Sequence, residues 1–434
     1  MSRPDPFVIL GVEIDAAAAT VTGRWAIGDE VFEETAAVPD GDLTLPGVAA
    51  AAELWCLLAG VSYFKTAAPL RIEIDGIRTS PAEREFLRRF YVAGLGEFAL
   101  GNGLDLTDLT IVGLDGSGPA DRAQGDPGRI LIPFGGGLDS IVTVAELAGQ
   151  ADEAALFVVE RPGSRFDAIE VPAAATGLPV VRVERLLDPK VLESAQRGYL
   201  NGHVPVTGVI SALAVLAAVA TGRGAVAMSN ERSASAATTQ GPHGPVNHQW
   251  SKGLEFESGF RSLVEARVGS VAYFSWLRDR SELSIAAVLA GLDEFLPLFR
   301  SCNRSFHQDP ARRLDRWCGT CDKCLFINLA LAPFLPPETL AEIFGGTEPL
   351  VQLPLAGQLR VLVGMSEETR PFECVGDEEE CREALLRTAE RPDRSADQAL
   401  QELAREVGLV HRPSEPPPPA AVIPERYAPP AGLG

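Results

Sequence analysis

The stretch RILIPFGGGLDS, residues 129–140, decides the fold. Arg129 to Phe134 is an apolar, β-branched run of strand length. Gly135, Gly136 and Gly137 follow, and Leu138-Asp139-Ser140 then opens an apolar helix. A strand that ends in glycines and passes straight into a helix has the outline of a phosphate cradle. Without side chains the backbone can approach an anion closely and take positive φ. The helix start adds unpaired N–H groups and the positive end of its dipole. Gly135, Gly136 and Gly137 are therefore candidate nucleotide-binding residues. Asp139 is a candidate Mg²⁺ ligand on the phosphates, and Ser140 a candidate phosphate donor and helix cap. No Gly-Lys-Ser/Thr follows, so the loop is not a Walker A loop, and its glycines lack the spacing of dinucleotide folds. The plainer alternative is a tight turn whose three glycines are structural.

Downstream, strand-like runs at 155–160, 179–184 and 224–229 alternate with helical patterns near 166–176 and 207–221. That alternation predicts an α/β fold with a doubly wound parallel sheet. Upstream, 7–15, 20–27 and 31–38 read as a small antiparallel sheet, 48–63 as a helix and 70–75 as a strand. Pro81 opens a further helix with acids in its first turn. Residues 1–120 are thus expected to be an N-terminal α+β domain, separated by a Gly/Asp/Pro-rich linker from a nucleotide domain over 129–345. Helices are expected to dominate 254–335. A small α/β segment spans 346–410, and 411–434, with Pro416 to Pro419 consecutive, reads as a disordered tail.

Composition narrows the function. The chain has 434 residues and a formal charge of −21, which argues against nucleic-acid or anionic-membrane partners. Its longest apolar run, Val209 to Ala220, is too short to span a bilayer. The N-terminus has no signal pattern, so the sequence reads as cytoplasmic. Of seven cysteines, Cys302, Cys318, Cys321 and Cys324 have the spacing C-x15-C-x2-C-x2-C, which suits tetrahedral Zn²⁺. His307 is an alternative to Cys302, and Cys321 and Cys324 also read as small buried residues on a helix. Cys374 and Cys381 are further ligands or surface thiols, while Cys56 sits in an apolar helix and reads as core.

The loop resembles the PP-loop of ATP pyrophosphatases (HUP-like folds), Ser-Gly-Gly-x-Asp-Ser after the first strand. Gly136, Gly137, Asp139 and Ser140 match, and Gly135 stands in place of the first Ser. That resemblance places adenine over neighbouring strand ends, near Val158-Val159-Glu160 and Ser229-Asn230-Glu231. The cysteines are similar to a cluster in 7-cyano-7-deazaguanine synthase. Residues 273–292 (YFSWLRDRSELSIAAVLAGL) and 299–335 (FRSCNRSFHQDPARRLDRWCGTCDKCLFINLALAPFL) narrow the resemblance to the UDP-N-acetyl-α-D-muramoyl-L-alanyl-L-glutamate epimerase family. The glycine loop and the stretch from Asn230-Glu231-Arg232 to Trp250-Ser251 belong to it too. The family implies peptidoglycan biosynthesis and a UDP-muramoyl-dipeptide substrate supplied by an L-glutamate-adding ligase. It also implies use of ATP and Mg²⁺ with release of AMP and diphosphate.

Adenylation would mask the α-carboxylate and make the α-proton acidic enough for a side-chain base, through an acyl-adenylate. The base is not identified by the sequence. His243 and His248, in GPHGPVNHQW at 241–250, are candidates, and the plainer reading of each is a surface or hydrogen-bonding histidine. Arg304, Arg312, Arg313 and Arg316 suit a diphosphate or carboxylate, or pair with surface acids. Asp279 and Glu282 read as helix-cap neighbours, with Ser281 as the cap. Residues 1–120 are a candidate recognition domain for the UDP-sugar. Rivals are an amidating enzyme like 7-cyano-7-deazaguanine synthase, a tRNA-modifying PP-loop enzyme and a non-catalytic nucleotide-binding regulator.

Overall fold

The computed structural model describes residues 5–307, 309–410 and 420–428. Ten strands form one sheet: β1 (Phe7–Asp15), β2 (Thr20–Ile27), β3 (Glu30–Ala37), β4 (Arg71–Thr79), β5 (Thr110–Asp115), β6 (Asp126–Pro133), β7 (Glu153–Glu160), β8 (Val180–Leu186), β9 (Arg223–Met228) and β10 (Ala272–Ser275). Their spatial order is β10-β9-β6-β7-β8-β3-β2-β1-β4-β5. The half from β10 to β8 is parallel throughout, and β1, β4 and β5 are parallel to one another. Only the β1-β2-β3 meander and its junction with β8 are antiparallel.

The parallel strands are apolar without interruption because both sheet faces are covered. In β6, Leu131 enters one core while Ile130 and Ile132 enter the other. On the first face lie helices α1 (Val48–Ala59) and α2 (Pro81–Gly94). Ser80 and Glu83 form a reciprocal capping box at the start of α2, with Pro81 in its first turn. Helices α3 (Leu138–Leu147) and α4 (Asp167–Ala175) lie on the second face. The chain then crosses back, and α5 (Val206–Ala220), buried almost throughout, packs against α1 on the first face. Helix α6 (Leu254–Leu263) follows there, while α7 (Glu282–Ala290) and α8 (Asp322–Leu331) join the second face.

Four expectations change. The strands at 7–37 do not form a sheet of their own. β3 pairs with β8, Thr35 opposite Leu186 and Ala36 opposite Arg185, so the sheet runs through the proposed boundary at 120–129. The helical stretch from 254 contains β10, a four-residue strand too short to show a period. The described residues 346–410 hold no strand; their longer helices are α9 (Glu378–Ala389) and α10 (Gln398–Val410). Of the predicted disordered tail, 411–419 and 429–434 lie outside the described residues, but 420–428 is packed. Tyr427 is buried, stacked on Phe274 at 5.8 Å, and its hydroxyl donates to Pro127 O. Among the described residues no helix is long and apolar enough to cross a membrane.

Candidate active site

After β8 the chain adds its next parallel strand on the other side of β6, so β6 and β9 mark a topological switch. Loops leaving their carboxyl ends diverge there and open a crevice. A cleft of about 650 Å³ occupies it, lined by Gly135, Gly137, Asp139 and Ser140 after β6 and Val158 and Val159 in β7. Ser229, Asn230 and Glu231 after β9 line it as well, with His248, Lys252, Glu282 and Lys323.

The glycine loop is built as a cradle. Gly136 has φ +71°, and a Cβ there would lie 2.1 Å from Ala168 O. A Cβ on Gly137 would lie 2.7 Å from Ser301 Oγ, whereas one on Gly135 meets nothing within 4 Å. Gly136 is thus held to glycine by its φ and by backbone, Gly137 meets only the rotatable Ser301 hydroxyl, and Gly135 has room for a side chain. Gly137 is the N-cap of α3 and no side chain caps the helix, which leaves its first N–H groups without a side-chain acceptor where Gly137, Asp139 and Ser140 line the cleft. Ser140 lies inside the first turn and donates to Gly137 O at 3.1 Å, so it does not cap the helix as the sequence suggested.

Acidic and basic groups crowd the far wall. Burial and then Glu231 push the Asp139 carboxyl up to about 6. Burial, with Asp139 and Glu231 next, raises Glu282 well above the carboxylate range. Asp139 Oδ1 and Glu231 Oε2 have no exposed surface and no hydrogen-bond partner. Burial opposes the charge on Lys252, but Cys374, Glu231 and Asp139 together raise its pKa. Its Nζ lies 3.3 Å from Cys374 Sγ. Such a wall can take a divalent cation on its carboxylates and a polyanion on its lysines.

A buried ion pair sets the position of this wall. Arg278, 2 % exposed, bonds Glu257 Oε2 at 2.9 and 2.7 Å. Its remaining donors reach Glu231 O at 2.7 Å and Lys252 O at 2.6 Å. Asn230 Nδ2 donates to Ser275 Oγ at 3.1 Å. The SWLRDRSEL stretch thereby ties the loops after β9 and β10 together.

Residues 1–276 match the MurL N-terminal domain, and residues 298–415 match the MurL C-terminal domain. The chain belongs to the MurL family. It is 38 % identical over 410 residues to the UDP-N-acetyl-α-D-muramoyl-L-alanyl-L-glutamate epimerase of Xanthomonas oryzae pv. oryzae, with 92 % of this chain and 89 % of that one covered. Epimerases of the same name from Salinispora tropica and a Micromonospora species are each 36 % identical. The first covers 89 % of this chain and 85 % of its own length, the second 90 % and 88 %. Membership makes this MurL-family chain an epimerase, a kind of isomerase.

The fold brings some of the sequence candidates together and separates others. Gly135, Gly137, Asp139, Ser140, Ser229, Asn230 and Glu231 share the cleft, while Glu160 turns away to pair with Arg182 at 2.7 Å. The Sγ atoms of Cys302, Cys318, Cys321 and Cys324 all lie within 4.8 Å of one another, a donor set that fits tetrahedral Zn²⁺. His307 is outside that group and accepts from Asp309 N at 3.0 Å. Hydrogen bonds from Cys321 and Cys324 draw Cys302 down, and the bond to Cys302 raises Cys321 to about 12. Cys374 lines the cleft, and Cys381 and Cys56 are buried.

His243 is half-exposed beside Asp105, at 3.5 Å, and away from the cleft, whereas His248 reaches the cleft. Arg304, Arg312 and Arg316 are exposed; Arg313 stacks on Phe166 at 4.0 Å and bonds Ser164 Oγ. Ser281 caps α7 as expected, accepting from Ser284 N at 3.1 Å. Asp279 instead accepts from Ala421 N at 3.0 Å, and Glu282 faces the cleft. Lys252, Lys323, Arg278 and Glu257 carried no sequence signal, because a buried charge looks like a surface charge until its partner is known.

Proposed function

We propose that this chain epimerises the terminal L-glutamate of UDP-N-acetyl-α-D-muramoyl-L-alanyl-L-glutamate to D-glutamate at the expense of ATP. The observation that carries the reading is the uncapped head of α3 behind Gly135-Gly136-Gly137, opening into the same cleft as Asp139, Glu231 and Lys252. Backbone N–H groups of the loop and α3 suit the phosphates in a PP-loop (HUP-like) manner. Asp139, its Oδ1 unpaired, would hold Mg²⁺, with Glu231 beside it. Lys252 and Lys323, which share the cleft with Asp139 and lower its pKa, would offset negative charge there.

ATP would adenylate the glutamyl α-carboxylate with release of diphosphate, and hydrolysis of the mixed anhydride after inversion would release AMP. The masked carboxylate then no longer resists loss of the α-proton, and return of a proton to the other face inverts the centre. Structural Zn²⁺ at Cys302, Cys318, Cys321 and Cys324 would clamp the segment after α7 to the start of α8. The enzyme would work in the cytoplasm on the product of an L-glutamate-adding muramoyl ligase. The test is incubation with ATP, Mg²⁺ and the UDP-muramoyl-L-alanyl-L-glutamate substrate in deuterated water. AMP that depends on substrate, and D-glutamate deuterated at its α-carbon, are expected. ADP in place of AMP, or product without exchange, would sink the proposal.

A further inference from the structure

His248 lines the cleft from the loop that follows β9. Its backbone is pinned. His248 N donates to Thr238 Oγ1 at 3.1 Å, Asn247 Nδ2 to Ala234 O at 2.9 Å, and Gln249 N to Asn247 Oδ1 at 2.7 Å. His248 Nδ1 meets Glu97 Oε2, from the first turn of the short helix Gly96–Asn102. His203 packs beside it with ring centroids 4.3 Å apart and its own Nδ1 3.7 Å from the same Glu97 oxygen. Neither phosphate binding nor the cysteine cluster uses this trio.

Epimerisation needs a group that takes a proton from carbon and tolerates the charge it gains. With Nδ1 engaged by Glu97, Nε2 is the nitrogen of His248 left for proton transfer. A proton arriving there makes an imidazolium, and the adjacent Glu97 carboxylate offsets its charge. Burial and the neighbouring His248 lower His203 to about 4, so it is neutral at pH 7 and adds no competing positive charge.

We infer that His248, oriented by Glu97, removes the glutamyl α-proton of the activated substrate. The inference rests on the ATP-driven epimerase reading above. The Cα–H bond breaks, its proton forms an N–H bond at Nε2, and the electron pair moves into the activated carbonyl as an enolate. The opposite face takes a proton from water in the open cleft, and the imidazolium returns its proton to solvent. Glu97 is a positioning residue and His248 the proton-transfer group.

The experiment compares the full-length wild type with His248→Gln, His248→Asn and Glu97→Gln in deuterated water with ATP, Mg²⁺ and substrate. Deuterium at the glutamyl α-carbon, AMP release and the urea midpoint are read separately. Both His248 variants are expected to lose deuterium incorporation by about 100-fold or more while AMP release stays within about threefold. Glu97→Gln is expected to lower kcat about tenfold with KM for the dipeptide substrate nearly unchanged. A His248 variant with a native urea midpoint that loses less than tenfold, or that loses exchange and AMP release in parallel, overturns the inference. A wild type that exchanges deuterium without AMP release contradicts the ATP reading instead, and the His248 comparison still stands on exchange.

Discussion

At Asp139 the fold holds a carboxyl where its charge is disfavoured: Oδ1 has no partner, and burial and then Glu231 lift the pKa from 3.8 to about 6. The folded protein therefore binds this proton more tightly than the unfolded chain does, and ionisation costs stability. The cost is absent below about pH 4, where both states are protonated, and complete above about pH 6. Two pH units correspond to about 3 kcal/mol, an upper figure here because the titration is shared with neighbouring acids. Asp139→Asn removes the charge at nearly constant volume. In urea unfolding without ligand the variant is expected to be more stable than wild type by about 1–3 kcal/mol at pH 7.5, with the gain vanishing near pH 4. Its epimerase activity is expected to fall at least about 100-fold, since on the proposed reading Asp139 would be the anionic ligand of the cation. A variant less stable than wild type at pH 7.5 would show that a partner already satisfies Asp139.

At the scale of elements, the cysteine cluster joins three pieces: Cys302 after α7, Cys318 and Cys321 in the following loop, and Cys324 in the first turn of α8. Helix α8 is buried along most of its length, so what fixes its start also fixes Lys323 at the cleft wall. About one zinc per chain is expected by elemental analysis, and close to none in Cys324→Ser. Backbone hydrogen exchange over 299–324 should speed up in that variant while β6 to β9 stay protected. Zinc-free wild type, purified from zinc-supplied cells without chelator, would refute the site. The glycine loop and the cysteine spacing could be read from sequence because each is local: a few residues in one turn carry the pattern. Strands β6 to β9 were legible for the same reason, as apolar runs bounded by turns. β10 was not, since Ala272 to Ser275 holds too few residues for a period. Arg278 was not either, because its role lies in reaching Glu257, Glu231 and Lys252 from separate segments. Ser140 was misjudged by position: a serine caps a helix from just before the first turn, and this one lies inside it.

For the whole molecule, the junction of β3 with β8 carries one sheet across what reads in sequence as two domains. Glu34, fully buried in β3, bonds Arg185 of β8 at 2.6 Å and accepts from Tyr63 Oη at 2.7 Å. Helices α1 and α5, one from each side of the junction, share a single core face. Such pairing is set by side-chain partners more than a hundred residues apart, which no local period reveals. Arg185→Met would leave the Glu34 carboxylate buried without its cation, a loss of about 3–5 kcal/mol. If the sheet is one cooperative unit, that loss must appear on both sides of the junction. Hydrogen exchange in graded urea should therefore show Phe7–Asp15 and Asp126–Pro133 losing protection at one shared midpoint in wild type. In Arg185→Met both should move together to lower urea. Separate midpoints in wild type, or a shift confined to residues 7–37, would mean that the two halves fold independently and meet only at a docking edge.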